Sequence, residues 1–183
     1  METAQTLALG AAWYIIFLLA TTCHEAAHAW AAKRGGDPTA FHAGQVSLHP
    51  LPHIRREPFG TVVVPLASYA LGGWMVGWAS APYDPLWAER HPRRAAWMAL
   101  AGPAANLTLL LFAAVMIRVG VWLEYFDAPQ VARFTQVVTA AEPGALRALA
   151  VVLSITFVLN LILFLFNLIP LPPLDGHGAI TLR

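Results

Sequence analysis

Three apolar runs, from Ala4 to Ala32, from Trp97 to Leu123 and from Leu146 to Ile169, constrain this chain more than any other feature. A helix needs about 20 apolar residues to cross the roughly 30 Å hydrocarbon core of a bilayer, and each run exceeds that. In lipid the backbone must satisfy its own hydrogen bonds, so such runs fold as helices. At 1.5 Å per residue the first would extend about 43 Å, so one of its ends is expected to project from the apolar layer. The expected fold is an all-α membrane protein, a single domain over residues 1–183 built on three core transmembrane helices.

The composition agrees with that reading. Charged residues make up 11% of the 183 and hydrophobic ones 58%, against about 25% charged in soluble domains. A net charge of +1 provides no basic surface for nucleic acid, so the expected surroundings are the lipid bilayer and no nucleic-acid partner. A single cysteine, Cys23, excludes an internal disulfide framework and a cysteine-based zinc cluster. No Lys or Arg precedes the first run and no clear small-residue cleavage site follows it. It is therefore expected to be retained rather than removed as a signal peptide.

Between the runs the chain is punctuated. Lys33 to Pro38 stop the first helix with charge, glycine and proline together. Pro38 to Pro58 reads as a polar, proline-broken loop with a short strand at Gln45 to Leu48. Phe59 to Ala81 is apolar again, but Pro65, Gly72 and Gly73 interrupt it and Thr61 to Val64 is β-branched and strand-like. After the third run, Pro170, Pro172 and Pro173 forbid a regular helix. Irregular backbone at membrane depth is tolerated only where protein or a water-filled cavity satisfies it, so this break is expected to line a site.

The ionisable residues inside the first run are the sharpest chemical signal. HEAAH sets His24 and His28 four residues apart on one helix face, the spacing that lets two imidazoles share a Zn²⁺. Glu25 stands beside them, able to take a proton from an attacking water. Ionisable side chains within a membrane helix are costly and are functional by default; the plainer alternative is a helix end that faces water. Catalytic zinc takes three protein ligands, and Asp175, just past the proline break and followed by Gly176, is the best third. Taken alone, an aspartate there is equally an N-cap for a helix over residues 176–182.

Two distant motifs together, HEAAH at His24 to His28 and NLIPLPPLDG at Asn167 to Gly176, resemble the site-2 protease family of intramembrane zinc metalloproteases. That family pairs an HExxH on one membrane helix with an NxxPxxPxDG-like motif on a later one. Gly44 to Pro50, His53, GTVVVP at Gly60 to Pro65, GWASAP at Gly77 to Pro82 and AGPAAN at Ala101 to Asn106 look like one bacterial branch of it. In that branch an aspartate follows the loop histidine, whereas here Ile54, Arg55, Arg56 and Glu57 follow His53. The resemblance implies one Zn²⁺ held by His24, His28 and Asp175, with Glu25 as catalytic acid/base. It also implies that Asn167 holds the substrate carbonyl or steadies the oxyanion. Asn106 either contacts the site or packs helices, and packing is favoured because small-residue stretches mark close helix contact. His42, His49 and His91 are expected to be solvated, and His177 to be only a sequence neighbour.

These expectations carry a topological condition. For Asp175 to reach His24 and His28, the first and third helices must run the same way, which requires that Phe59 to Ala81 not cross. That segment is expected to fold back as a re-entrant or strand-containing hairpin around Gly72 and Gly73. Lys33, Arg34, Arg55, Arg56, Arg90, Arg93, Arg94 and Arg183 then share one side, leaving Arg118, Arg133 and Arg147 on the other. The positive-inside rule puts the site toward the cytoplasm of a bacterial plasma membrane.

The expected function is hydrolysis of a peptide bond in or near a transmembrane segment of a membrane protein substrate, with Thr61 to Val64 pairing as a strand with the extended peptide. The alternatives are a catalytically inactive zinc-binding membrane protein and a divalent-metal transporter; a soluble zinc protease ranks last on composition. Ending a few residues past Asp175, the chain is shorter than many members of the family. Loss of C-terminal helices, or completion of the core by a homo-oligomer, are the two alternatives.

Overall fold

The computed structural model describes residues 2–180. Its elements are α1 (Glu2–Gly35), α2 (Thr39–His42), α3 (Leu51–Arg56), a π-helical turn (Phe59–Val63) continuing into α4 (Val64–Gly72), α5 (Pro85–Arg90), α6 (Pro92–Trp122), α7 (Ala145–Asn167) and α8 (Asp175–Ala179). Three of these, α1, α6 and α7, are long and apolar enough to cross a membrane. The chain is an all-α membrane protein, and α6 begins five residues earlier than the apolar run because Pro92 opens it at a position where a missing amide costs nothing.

The three long helices pack together through α6, which lies against both α1 and α7. One face of α1 supplies Trp13, Ile16, Phe17 and Ala20, which bury against Ile155 and Leu159 of α7 and Met75 of the hairpin. These positions recur at three- and four-residue spacing, which keeps them on one stripe of the helix. At the opposite end the α6–α7 connection folds back on the bundle: Phe126, Val138 and Ala140 bury against Ala150 and Leu153. Ser154 Oγ accepts from the Val137 amide at 2.9 Å. Among the described residues there are two isolated β-bridges, Asp127 with Thr139 and Arg133 with Gln136, both in this connection.

Phe59 to Ala81 does fold back. The π-turn and α4 together span 14 residues, roughly 21 Å, and run along α1 until the Tyr69 hydroxyl donates to Thr6 O at 2.8 Å. Gly73, at φ +73°, then turns the chain, a conformation that favours glycine. The return strand of backbone passes Gly60 closely enough for the Trp78 amide to donate to Gly60 O at 3.1 Å. A Cβ on Gly77 would fall on the Gly60 carbonyl and the Phe17 ring, so glycine is required where the two arms meet α1. At the mouth Ser80 Oγ donates to Glu57 Oε1 at 2.6 Å. At the tip the Trp74 and Phe134 rings lie 5.7 Å apart. The hairpin therefore reaches the far end of the bundle and returns.

Two strand expectations fail. Thr61 to Val64 lies in the π-turn and the start of α4, where its amides are committed within the helix, because Pro65 sits in the first turn and suits a helix start. The strand pairing with substrate proposed for it accordingly has no basis. Gln45 to Leu48 is irregular rather than extended in a sheet, and the stretch from residue 38 to 58 contains the short helices α2 and α3. It also has more buried content than a bare loop, since Ala40, Gln45 and His53 are all enclosed.

Asp37 ties this region together. Its carboxylate accepts from the Thr39 amide at 2.9 Å, from Thr39 Oγ1 at 2.5 Å and from the Asp84 amide at 2.8 Å. Trp87 Nε1 and Arg94 Nη1 both donate to Gly35 O, at 3.1 and 3.0 Å. The C-terminal end of α1, the exit of the hairpin and the start of α6 thus lie at one face of the bundle.

Candidate metal centre

His24 and His28 lie one turn apart near the C-terminal end of α1, on the face that meets α6. Side chains four apart on a helix lie one above the other, and here the two Nε2 atoms are 3.0 Å apart. Asp175, the first residue of α8, brings Oδ2 to 3.0 Å from His24 Nε2 and Oδ1 to 3.3 Å from His28 Nε2. The ligand atoms of all three residues fall within 4.8 Å of one another. The Asp175 carboxylate thus turns toward the histidines rather than toward the amides of α8.

Both imidazoles are held by their other nitrogen. His28 Nδ1 lies 2.7 Å from the Met98 carbonyl oxygen, which only accepts, so that nitrogen carries the proton. His24 Nδ1 lies 2.5 Å from Asn106 Oδ1. The orientation of that amide follows from its neighbours: Asn106 Nδ2 donates to Asn160 Oδ1 at 2.8 Å, and Asn160 Nδ2 donates to Thr156 O at 2.9 Å. Asn106 therefore presents its oxygen to His24, and His24 too is protonated at Nδ1. Neutral rings in this tautomer turn two Nε2 lone pairs toward each other and toward a carboxylate. Asp175 Oδ2 is buried with no hydrogen-bond partner.

Three negative or lone-pair-bearing atoms converging without donors between them fit a cation, and imidazole nitrogen with carboxylate oxygen is a donor set suited to Zn²⁺. The space itself is kept by Gly102, whose Cβ would fall on the Nε2 atoms of both histidines. Gly176 does the same for α8: a Cβ there would collide with the carbonyls of Leu168 and Ile169, so only glycine lets α8 tuck under the end of α7.

Glu25 is buried beside His24. Among the described residues, no hydrogen bond or ion pair engages its carboxylate. Asn167 closes α7 at a half-buried position, and its side chain has no hydrogen-bond partner among the described residues. Asn106, with site contact and helix packing as its two alternatives, does both: it is wholly buried, meets His24 and bonds Asn160 of α7. Asn160 is the residue that sequence reasoning missed; an asparagine four positions past Thr156 inside an apolar run is itself the signal that would have found it. His42 and His49 are exposed as expected, whereas His91 is half-buried, with Nδ1 3.1 Å from Trp87 O. His53 is buried and pins the loop through Ser47 O at 3.0 Å, away from the metal ligands. His177 is exposed.

The model described as Peptidase family M50 matches residues 12–182, and the chain belongs to that family. The resemblance of the two motifs to site-2 proteases is borne out by this match. Among curated relatives, "Putative zinc metalloprotease YwhC" of Bacillus subtilis is 32% identical over 167 residues, covering 91% of this chain and 66% of that protein. "Putative zinc metalloprotease Rip2" of Mycolicibacterium smegmatis is 30% identical over 167 residues, 90% of this chain and 54% of that protein. The protein of the same name from Mycobacterium tuberculosis is 28% identical over 182 residues, 98% of this chain and 61% of that protein. The chain thus spans 54 to 66% of the length of these relatives. No solved structure gives a significant match.

Proposed function

We propose that this chain is a zinc-dependent endopeptidase that cleaves a membrane protein substrate within or near a transmembrane segment. The observation that carries the reading is a three-ligand cluster with no fourth histidine, cysteine or carboxylate joining it among the described residues. Structural zinc sites close the fourth position with a side chain, and catalytic ones leave it open. His177, the sequence neighbour nearest to that position, is exposed. Membership of family M50 and relatives named as zinc metalloproteases support the same reading.

His24, His28 and Asp175 would hold one Zn²⁺. When bound, the ion supplies Lewis acidity, polarising a carbonyl and acidifying water. Asn106 and the Met98 carbonyl hold the two rings in the tautomer that presents Nε2. Glu25, buried and free of other partners, accepts the proton of the attacking water and delivers it to the leaving amine. Asn167, at the end of α7 with an uncommitted amide, donates to the developing oxyanion. The cluster lies toward the end of α1 that carries Lys33 and Arg34, which favours a site on the cytoplasmic side of a bacterial plasma membrane.

The test is Glu25→Gln. Zinc content measured by elemental analysis should stay at that of the parent protein, while cleavage of a reconstituted single-span substrate stops. Unchanged cleavage would refute the assigned role, and loss of zinc would make Glu25 a ligand instead of a base.

A further inference from the structure

We propose that the groove between α1 and α6, on the side away from the metal cluster, binds an anionic phospholipid. Its phosphate would sit between Arg34 and Arg94, with an acyl chain along the alanine-lined wall below.

Two cavities open there, of about 770 and 560 Å³, and they share Ala27, Trp30, Ala105 and Thr108, so they form one continuous groove. None of the metal-site residues lines either. The upper cavity is bounded by Arg34 at the end of α1 and Arg94 at the start of α6. Both are exposed. Arg94 is steadied by its bond to Gly35 O, Arg34 lies 5.3 Å over the Trp30 ring, and neither has a carboxylate partner among the described residues. Trp30 and Trp97, 52% and 65% exposed, line the same cavity as the two arginines, and amphipathic rings of this kind mark the boundary between headgroups and hydrocarbon.

Below that level the groove carries no charge. Its two hydroxyls are both engaged: Thr108 Oγ1 donates to Ala104 O at 2.9 Å and Ser47 Oγ accepts from the His49 amide at 3.0 Å. From Arg94 to Thr108 the wall of α6 runs roughly 21 Å, enough for most of an acyl chain. Unpaired cations above an apolar furrow match an anionic headgroup above a hydrocarbon tail. Charge also decides against a second copy of this chain: docking through the same face in the same membrane would set Arg34 and Arg94 of both copies against one another.

Native mass spectrometry of the protein after reconstitution in mixed phosphatidylglycerol and phosphatidylcholine tests this. Phosphatidylglycerol should be retained in preference, and Arg34→Gln should lower its retention about fivefold. Ala104→Trp, which fills the furrow and leaves both arginines intact, should also lower it, while Arg118→Gln at the far end of α6 should not. Both altered side chains are exposed, so either variant is informative if the other misfolds. Equal retention of the two lipids, retention unchanged by Arg34→Gln, or a dimer trapped by a disulfide through Ala104→Cys would overturn the proposal.

Discussion

Nδ1 of His24 and Oδ1 of Asn106 lie 2.5 Å apart at a position closed to solvent. An amide from α6 thus decides which nitrogen of an α1 histidine is free for a metal, and Asn160 of α7 decides which way that amide points.

Asn106→Leu should therefore weaken zinc binding by 10- to 100-fold, the usual cost of losing a residue that orients a ligand. Asn106→Asp, which keeps an acceptor facing the ring, should retain more of the affinity. Asn160→Leu should fall between Asn106→Leu and the parent. A competition titration against a chromophoric chelator measures all three, and equal affinities across the series would mean that the chain of amides is only packing.

Gly102→Ala should abolish metal loading while leaving the helices in place. The added methyl has nowhere to go but onto the Nε2 atoms of His24 and His28, and overpacking of this kind costs about 1–3 kcal/mol. Elemental analysis together with far-UV circular dichroism checks it. Full zinc content in this variant would show that the site assembles differently.

Much of this architecture can be read from the sequence because lipid removes alternatives. Apolar runs longer than a bilayer is thick must be helices, and the requirement that Asp175 meet His24 forces Phe59 to Ala81 to turn back. The same reasoning fails where the deciding contact is between distant side chains. Asn106 sits in a stretch of small residues, so its local pattern indicates close packing; only the approach of α1 and α7 reveals that its amide is spent on His24 and Asn160. Thr61 to Val64 fails for a different reason. β-Branched residues disfavour helix only weakly, and Pro65 in the first turn of α4 suits a helix start.

Asp37 gives an acid dependence with a defined sign. Burial alone would raise its carboxyl, but the donors from Thr39 and Asp84 hold it below its ordinary value. A carboxyl depressed in the folded state stabilises it fully above the unfolded-state pKa of about 3.9, and that contribution is lost as pH falls through the lower folded value. The melting temperature in detergent should then be insensitive to Asp37 titration near neutrality and fall below about pH 4. Asp37→Asn should lower stability at pH 7 by about 1–3 kcal/mol, since all three donors lose a charged acceptor and at least one faces an NH2 instead of an oxygen, and should reduce the acid-dependent part. An identical pH profile in the variant would assign the dependence elsewhere.

The fold-back makes a topological forecast. In a Cys23→Ala background, single cysteines replacing the exposed residues His42 and Glu89 should be labelled by an impermeant maleimide from one side of the membrane. A cysteine replacing Glu142 should be labelled from the other. Labelling of the His42 and Glu89 replacements from opposite sides would mean that the hairpin crosses.

The contact at the mouth of that hairpin, Ser80 Oγ on Glu57 Oε1, has a consequence for how such a chain can diversify. An insert whose two ends touch leaves the direction of everything downstream unchanged: apart from Met75 and the glycines that seat it on α1, residues 58–79 could be lengthened or shortened without reversing α6 or α7. Asp175 would still arrive beside His24. The surface offered to neighbouring helices can therefore drift on its own schedule, while the three residues around the cation stay under separate and much stricter constraint.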